Sequence, residues 1–172
     1  MLMTTTPLSP AFIEADAVLE SLYIAARDPY NRFSIPEAMD RLKAVYNSAT
    51  EIVRYKIVTD LTEIKSTTPV PFLVEVLRND ESAMVRHEAA FGIGALGREN
   101  DSVHLIDSLK NDPSNIVRHE AAIALAEIGG SDAIPALEAA SKHSDPDVAM
   151  SAQFAVQNIR LYLQRFGKVA NG

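Results

Sequence analysis

The apolar positions of this chain recur at two scales. Within single segments they fall at Val53, Ile57, Leu61 and Ile64, then at Val85, Ala89, Ile93 and Leu96. They return at Val117, Ala121, Leu125 and Ile128, and once more at Val148, Ala152, Val156 and Ile159. Four, four and three residues separate the members of each set, one stripe of a helix that turns about 100° per residue. A strand would alternate with period two, so each segment predicts a helix. The larger scale is the spacing of the sets. Their leading valines, 53, 85, 117 and 148, lie 32, 32 and 31 residues apart.

A second, shorter apolar pattern precedes most of these helices. Phe72, Leu73, Val76 and Leu77 form one; Val103, Ile106 and Leu109 the next; Ile134, Leu137 and Ala140 the last. Leu42 and Val45, within residues 36–47, suit a first member. Turn residues separate the patterns at Asn79-Asp80, Gly97, Asp112-Pro113, Gly129-Gly130 and Asp145-Pro146. Each repeat is therefore a helix A, a turn and a helix B. Upstream, Phe12, Ala15, Leu19, Leu22 and Ala26 share another helical stripe, a capping helix. Two helices in about 30 residues, repeated, make an all-α fold, a short α-solenoid of about four helix pairs plus the N-terminal cap. The expected organisation is an N-terminal segment over 1–34, a repeat domain over 35–165 and a disordered tail over 166–172, with a loop from Arg27 to Ser34. The Asp…Val-Arg…Ala…Ala-Leu pattern resembles HEAT-like repeats, including those of phycobilin lyases.

Composition narrows the chemistry. The 172 residues are 47% hydrophobic and 23% charged, a globular balance, and include no cysteine. Thiolate metal sites, disulfides and cysteine nucleophiles are excluded. The formal net charge of −7 argues against nucleic acid as a partner. No apolar run has the roughly 18 residues of a membrane span. The N-terminus lacks the basic and apolar regions of a secretory signal. The expected location is cytoplasmic. There is no phosphate-binding glycine loop, since Gly92 and Gly94 fall inside a helix, and no Gly-x-Ser-x-Gly elbow.

One pair of residues stands out. His87-Glu88 and His119-Glu120 occupy the same place in the two central repeats, where the flanking repeats have Tyr55-Lys56 and Met150-Ser151. With the valine as origin the core stripe centres near about 40° and the histidine lies near about 200°, facing away from it. Ala90, Phe91 and Gly94 flank His87, and Ala122, Ile123 and Ala126 flank His119. This predicts an apolar concave groove carrying two histidines and two carboxylates, with small residues leaving room near the backbone. Neighbouring helices pack about 8–10 Å apart, so both histidines could meet one ion at about 2.0–2.1 Å. The glutamates would point about 100° further round. Imidazole and carboxylate without thiolate suit iron, manganese or zinc. Two His and two Glu are few for a closed site, and they invite a dimer.

The segments over 84–96 and 116–128 resemble the His-Glu repeats of deoxyhypusine hydroxylase. The order of the repeats is also similar: none, His-Glu, His-Glu, none, as in one half of that two-halved, eight-repeat family. The resemblance spans 52–161. It implies that His87, Glu88, His119 and Glu120 are iron ligands, that two irons sit between the halves, and that dioxygen is the co-substrate of a hydroxylation. A two-fold homodimer would restore four His and four Glu. The family's own substrate does not carry over, because the likeness lies in the metal motif and scaffold. The groove would receive a protein or small-molecule substrate.

The other recurring residues have plainer readings. Arg54, Arg86 and Arg118 predict a ladder bridging neighbouring repeats, and Asp80, Asp112 and Asp145 predict helix caps or turn braces. Tyr55 takes the histidine's place in the first repeat and is a candidate to touch a ligand or a metal-binding residue. Phe91 and Ile123 suit a substrate wall or a dimer contact, and Met150 suits packing or a dimer contact. Glu63 and Glu127 belong on a solvated flank. His104 and His143 read as surface residues. The alternative to an oxygenase is an interaction scaffold or a chaperone similar to bilin-lyase subunits, with no catalytic metal. A metal store or sensor without turnover lies between them.

Overall fold

The computed structural model describes residues 9–27, 34–128 and 130–166. Residues 1–8, 28–33, 167–172 and Gly129, which hold most of the loop expected at 27–34 and of the tail expected at 166–172, and the side chains of Ala26 and Ser34 lie outside the described residues, whereas Arg27, Ser34 and Phe166 are helical. The described residues form nine α-helices and two single 3-10 turns, with no strand. They gather in two compact units, Met1–Ser66 and Thr67–Gly172. The division expected at residue 34 falls inside the first unit.

The first unit holds α1 (Pro10–Arg27), α2 (Ser34–Ser48) and α3 (Glu51–Thr62). Helix α1 packs on both α2 and α3. Its buried stripe is Ala15, Val18, Leu19, Leu22 and Ala25. Ala38, Met39, Leu42, Val45 and Tyr46 are buried on α2, and Val53, Ile57, Val58 and Leu61 on α3. Lys56 binds Asp16 of α1 at 3.0 Å and also pairs with Asp60 one turn along α3. Burial lowers the Lys56 pKa, but the two carboxylates outweigh that and raise it.

The second unit stacks three helix pairs: α4 (Val70–Asn79) with α5 (Ala83–Leu96), α6 (Ser102–Asn111) with α7 (Asn115–Ile128), and α8 (Ile134–Ala140) with α9 (Pro146–Phe166). The B helices α5, α7 and α9 lie side by side in one layer, and α4, α6 and α8 form the other. The predicted B-helix stripes face the core: Val85, Ala89, Ile93, Val117, Ala121, Leu125, Val148, Ala152, Val156 and Ile159 are all buried. Helix α6 differs from its sequence reading. Its buried face is Ser102, Leu105, Ser108 and Leu109, while Val103 is exposed. Two small serines form the contact face because α6 packs between α4, α7 and α8.

Two contacts fix the spacing of this stack. A Cβ on Gly94 would stand 2.8 Å from the Cβ of Ala124, so α5 and α7 approach as closely as a glycine allows. The small residues of this face therefore admit the neighbouring helix and not a ligand, which corrects the expectation of free space near the backbone. The second contact is electrostatic. Arg86 Nε and Nη2 donate to the two oxygens of Asp112 at 2.8 and 2.9 Å, a bidentate pair largely closed to solvent. Arg86 Nη1 also donates to the carbonyls of Asp80 and Glu81. Asp112 raises the Arg86 pKa further above its usual range. Arg118 Nε donates to the Asp112 carbonyl at 2.6 Å, and Arg54 Nη1 to the Ala49 carbonyl at 3.2 Å. The expected bridge to a neighbouring repeat is made by Arg86, through its ion pair, and by Arg118, through His143, while these carbonyl bonds of Arg118 and Arg54 stay within their own turns. The aspartates brace the turns as expected. Asp80, Asp112 and Asp145 accept from the backbone N–H of Ser82, Ser114 and Asp147.

His143 carries more than a surface role. Its Nε2 lies 3.1 Å from Arg118 Nη1, and its Nδ1 accepts from the Asp145 N–H at 3.0 Å. It occupies, beside Arg118, the part that Asp112 plays beside Arg86. His104 touches Arg78 at 2.9 Å; burial, then the Arg78 charge, lowers its pKa. No helix among the described residues is long and apolar enough to cross a membrane.

Replacing Asp112 with Ala leaves the Arg86 guanidinium buried and unpaired. The expected loss of unfolding free energy is about 3–5 kcal/mol, measured by urea denaturation with helicity followed by circular dichroism. Replacing Gly94 with Val forces α5 and α7 apart. A loss of about 1–3 kcal/mol is expected, and an unchanged denaturation midpoint would contradict the close contact with Ala124.

Candidate functional site

The four His-Glu residues lie on α5 and α7, in the layer of B helices, and none joins the apolar core stripe. Glu88 and Glu120 sit one residue past the histidines, on the flank where B helices meet. Both are buried, at 8% and 7% exposure, and both histidines are half-buried. The expectation that the glutamates project outward is corrected in this respect. The reason is geometric. A position about 300° round the wheel from the valine faces the adjoining B helix once the helices pack side by side.

Contact then runs in one direction along the layer. His87 Nε2 on α5 meets Glu120 Oε2 on α7 at 3.2 Å. His119 on α7 meets Ser151 on α9, Nδ1 to Oγ, at 2.8 Å. In each case the histidine of one B helix reaches the residue three past the valine on the next. The hydrogen bond to Glu120 raises the His87 pKa above its ordinary value near 6.5; burial opposes this, and the charges of Glu120 and Glu88 add to it.

Two groups here have polar capacity that the protein does not fill. His87 Nδ1 is buried with no hydrogen-bond partner. The Glu88 carboxylate makes no hydrogen bond or ion pair among the described residues, although its residue is buried. Imidazole and carboxylate oxygen together are the donor set of a hard or borderline divalent metal. In that sense the residues fit a metal. Within one chain, however, no group of three or more His, Cys, Asp or Glu among the described residues is placed to hold an ion. The single chain offers part of a coordination sphere.

The surrounding face is apolar. Met84, Phe91, Ile116, Met150 and Phe154 are all exposed, and Ile123 is half-buried. They stand one before, two after or six after their valines, between about 200° and 260° on the wheel, which is the histidines' own face. Tyr55 belongs to the first unit, where it is partly exposed on α3. Glu63 and Glu127 are exposed, as expected. Sequence reasoning missed Ser151. It was noted only as a residue where the His-Glu pattern stops, although its place three past Val148 matches that of Glu88 and Glu120.

Known proteins place this arrangement. A family of HEAT repeats matches residues 39–122 and 102–159. Deoxyhypusine hydroxylase from Emericella nidulans is 31% identical over 97 residues, covering 56% of this chain and 28% of that protein. The enzyme of the same name from Aspergillus oryzae is 34% identical over 82 residues, 47% of this chain and 24% of that protein. The chain therefore matches only about a quarter of these relatives' length. The structure of human deoxyhypusine hydroxylase in complex with glycerol matches 91% of this chain and 46% of its own, with a TM-score of 0.56 and 22% identity, a likeness of fold. Helix pairs at a 32-residue spacing, with a family match running from residue 39 to 159, make this chain a member of the HEAT-repeat family.

Proposed function

We propose that this chain is a non-haem iron protein of hydroxylase-like type, whose metal site is completed when two copies face each other. The observation that carries the reading is the pair of buried glutamates beside histidines on adjacent B helices, one of them, Glu88, with no hydrogen bond or ion pair among the described residues. The similarity to deoxyhypusine hydroxylases supports iron over zinc or manganese. His87, Glu88, His119 and Glu120 would hold the metal, two irons per dimer, and iron bound there would supply dioxygen activation. The residues of the chain do the rest. Glu120 holds His87 in place through the 3.2 Å contact. Phe91, Ile123 and Met84 keep water from the face and give an apolar surface to substrate or to the second copy. The substrate is a protein or a small molecule bound in this face.

Homodimerisation follows from the count of ligands. Among the described residues, one chain gathers fewer than three donors at one point. A two-fold axis through this face would bring a second set of two histidines and two glutamates opposite the first. The exposed apolar residues around the histidines suit such a contact.

The test is metal content by elemental mass spectrometry on untagged protein, combined with mass in solution. The expected result is one iron per chain in a species of twice the 18.7 kDa chain mass. His87→Ala and His119→Ala should lose the iron and keep their helicity. A protein that takes up no ferrous iron under anaerobic conditions overturns the metal reading. A monomer holding two irons overturns the dimer.

Proton and metal compete for His87, which makes the site pH-dependent. Because Glu120 raises the His87 pKa, the ion pair stabilises the metal-free fold below the ordinary histidine pKa near 6.5. That contribution disappears as pH rises through the higher folded-state value. Iron affinity should move the opposite way, increasing as His87 loses its proton. Proton NMR of the metal-free protein should place the His87 midpoint above 6.5, and Glu120→Gln should lower it. An unchanged midpoint in the variant would show that Glu120 is not the cause.

A further inference from the structure

The two histidines are held by opposite ring nitrogens. His87 turns its Nε2 to Glu120 at 3.2 Å. His119 turns its Nδ1 to Ser151 Oγ at 2.8 Å, with the Asp147 carbonyl at 3.4 Å beyond the same nitrogen. The difference follows from side-chain length. A glutamate carboxylate stands two carbons further from its backbone than a serine hydroxyl. It reaches the far ring nitrogen, whereas the short serine reaches the near one. Ser151 is buried, at 7% exposure, so this bond is shielded from water. His119 Nε2 has no hydrogen-bond partner among the described residues.

The chemistry of the two acceptors decides the proton. A backbone carbonyl only accepts, and a serine oxygen can accept. An Nδ1–H shared between Ser151 Oγ and the Asp147 carbonyl satisfies both contacts. The reverse tautomer would leave Nδ1 as a bare acceptor facing the Asp147 carbonyl oxygen. With the proton fixed on Nδ1, the Nε2 lone pair is free and turned away from α9. Histidine ligands to metals are oriented in this way, by a hydrogen bond from the nitrogen that does not bind.

We infer that Ser151 is a positioning residue. It fixes His119 as the Nδ1–H tautomer and presents Nε2 as the ready ligand atom for ferrous iron, whereas His87 must first give up its contact with Glu120. This rests on the metal reading given above and adds a residue and an order to it. His119 is the first ligand and His87 the later one. Ser151 supplies in the last repeat what a third His-Glu pair would not. A glutamate there would compete for Nε2, the very atom that has to bind.

The experiment separates this inference from the metal reading. Long-range nitrogen–proton NMR on the metal-free protein, above the histidine titration range, reports which nitrogen of His119 carries the proton. The expected result is protonated Nδ1 and bare Nε2 in the wild type, with Ser151→Ala moving His119 towards the Nε2–H form that an unconstrained histidine favours. Ser151→Thr, which keeps the hydroxyl, should restore the wild-type tautomer. In parallel, anaerobic titration with ferrous iron against a competing chelator should show Ser151→Ala binding about 10–100-fold more weakly, with rescue by Thr. A purely structural serine would leave the tautomer unmoved. Wild-type His119 in the Nε2–H form, or a Ser151→Ala variant with the wild-type tautomer, overturns the inference. Because the spectrum needs no metal, it decides the role of Ser151 even if the protein takes up no iron, a result that overturns the metal reading alone.

Discussion

The close approach of α5, α7 and α9 is the constraint on which the rest of the second unit depends. Gly94 against Ala124 sets that approach, and the alanines at 89, 90, 121, 122, 152 and 155 are buried along the same layer. Large side chains at these positions would hold the axes towards the wide end of the usual 8–10 Å range. The site's polar contacts cross between the helices this packing brings together, His87 to Glu120 between α5 and α7 and His119 to Ser151 between α7 and α9.

The same repeat carries two rows of polar contacts, and their difference is informative. On one side, Arg86 and Asp112 form a complete pair, with every oxygen of the carboxylate and three nitrogens of the guanidinium engaged. That row is self-sufficient and holds repeats in place. On the other side, Glu120 meets a histidine, and Glu88 makes no hydrogen bond or ion pair among the described residues and acts on His87 through its charge. A protein that needed these glutamates for packing alone would be more stable with leucine or alanine there, since a buried carboxylate must be desolvated. The complete row explains the scaffold. The incomplete row is where the proposed ligand would bind.

Periodicity made most of the fold legible. The B-helix stripes, the 32-residue spacing and the turn aspartates were all visible because each depends on a residue's own helix or its own turn. What stayed hidden depends on neighbours. Val103 looked like core because valine is apolar, but α6 packs on three helices and buries Ser102 and Ser108 in its place. Glu88 and Glu120 seemed to face outward because a single wheel has no second helix beside it. His143 had no register partner, so nothing marked it as the neighbour of Arg118. Ser151 was hidden for a related reason. It was read as the end of a motif, when its position relative to Val148 is that of the motif's glutamates.

The asymmetry between the last two B helices also bears on the scaffold alternative. An adaptor gains nothing from distinguishing two histidines at equivalent positions, and simple repeat duplication would make their surroundings alike. Here the surroundings differ in a directed manner. The inner histidine is tied by its far nitrogen to a carboxylate, and the outer one by its near nitrogen to a hydroxyl. A tied far nitrogen favours the protonated ring, with Glu120 as its counter-charge. A braced near nitrogen fixes the tautomer and leaves the far lone pair open. One face thus offers a histidine tied to a carboxylate through its far nitrogen and another whose far nitrogen is open. On the proposed metal reading, the outer histidine would supply the initial hold, and the inner one would couple metal uptake to proton release. A surface evolved only to bind another protein has no use for that division.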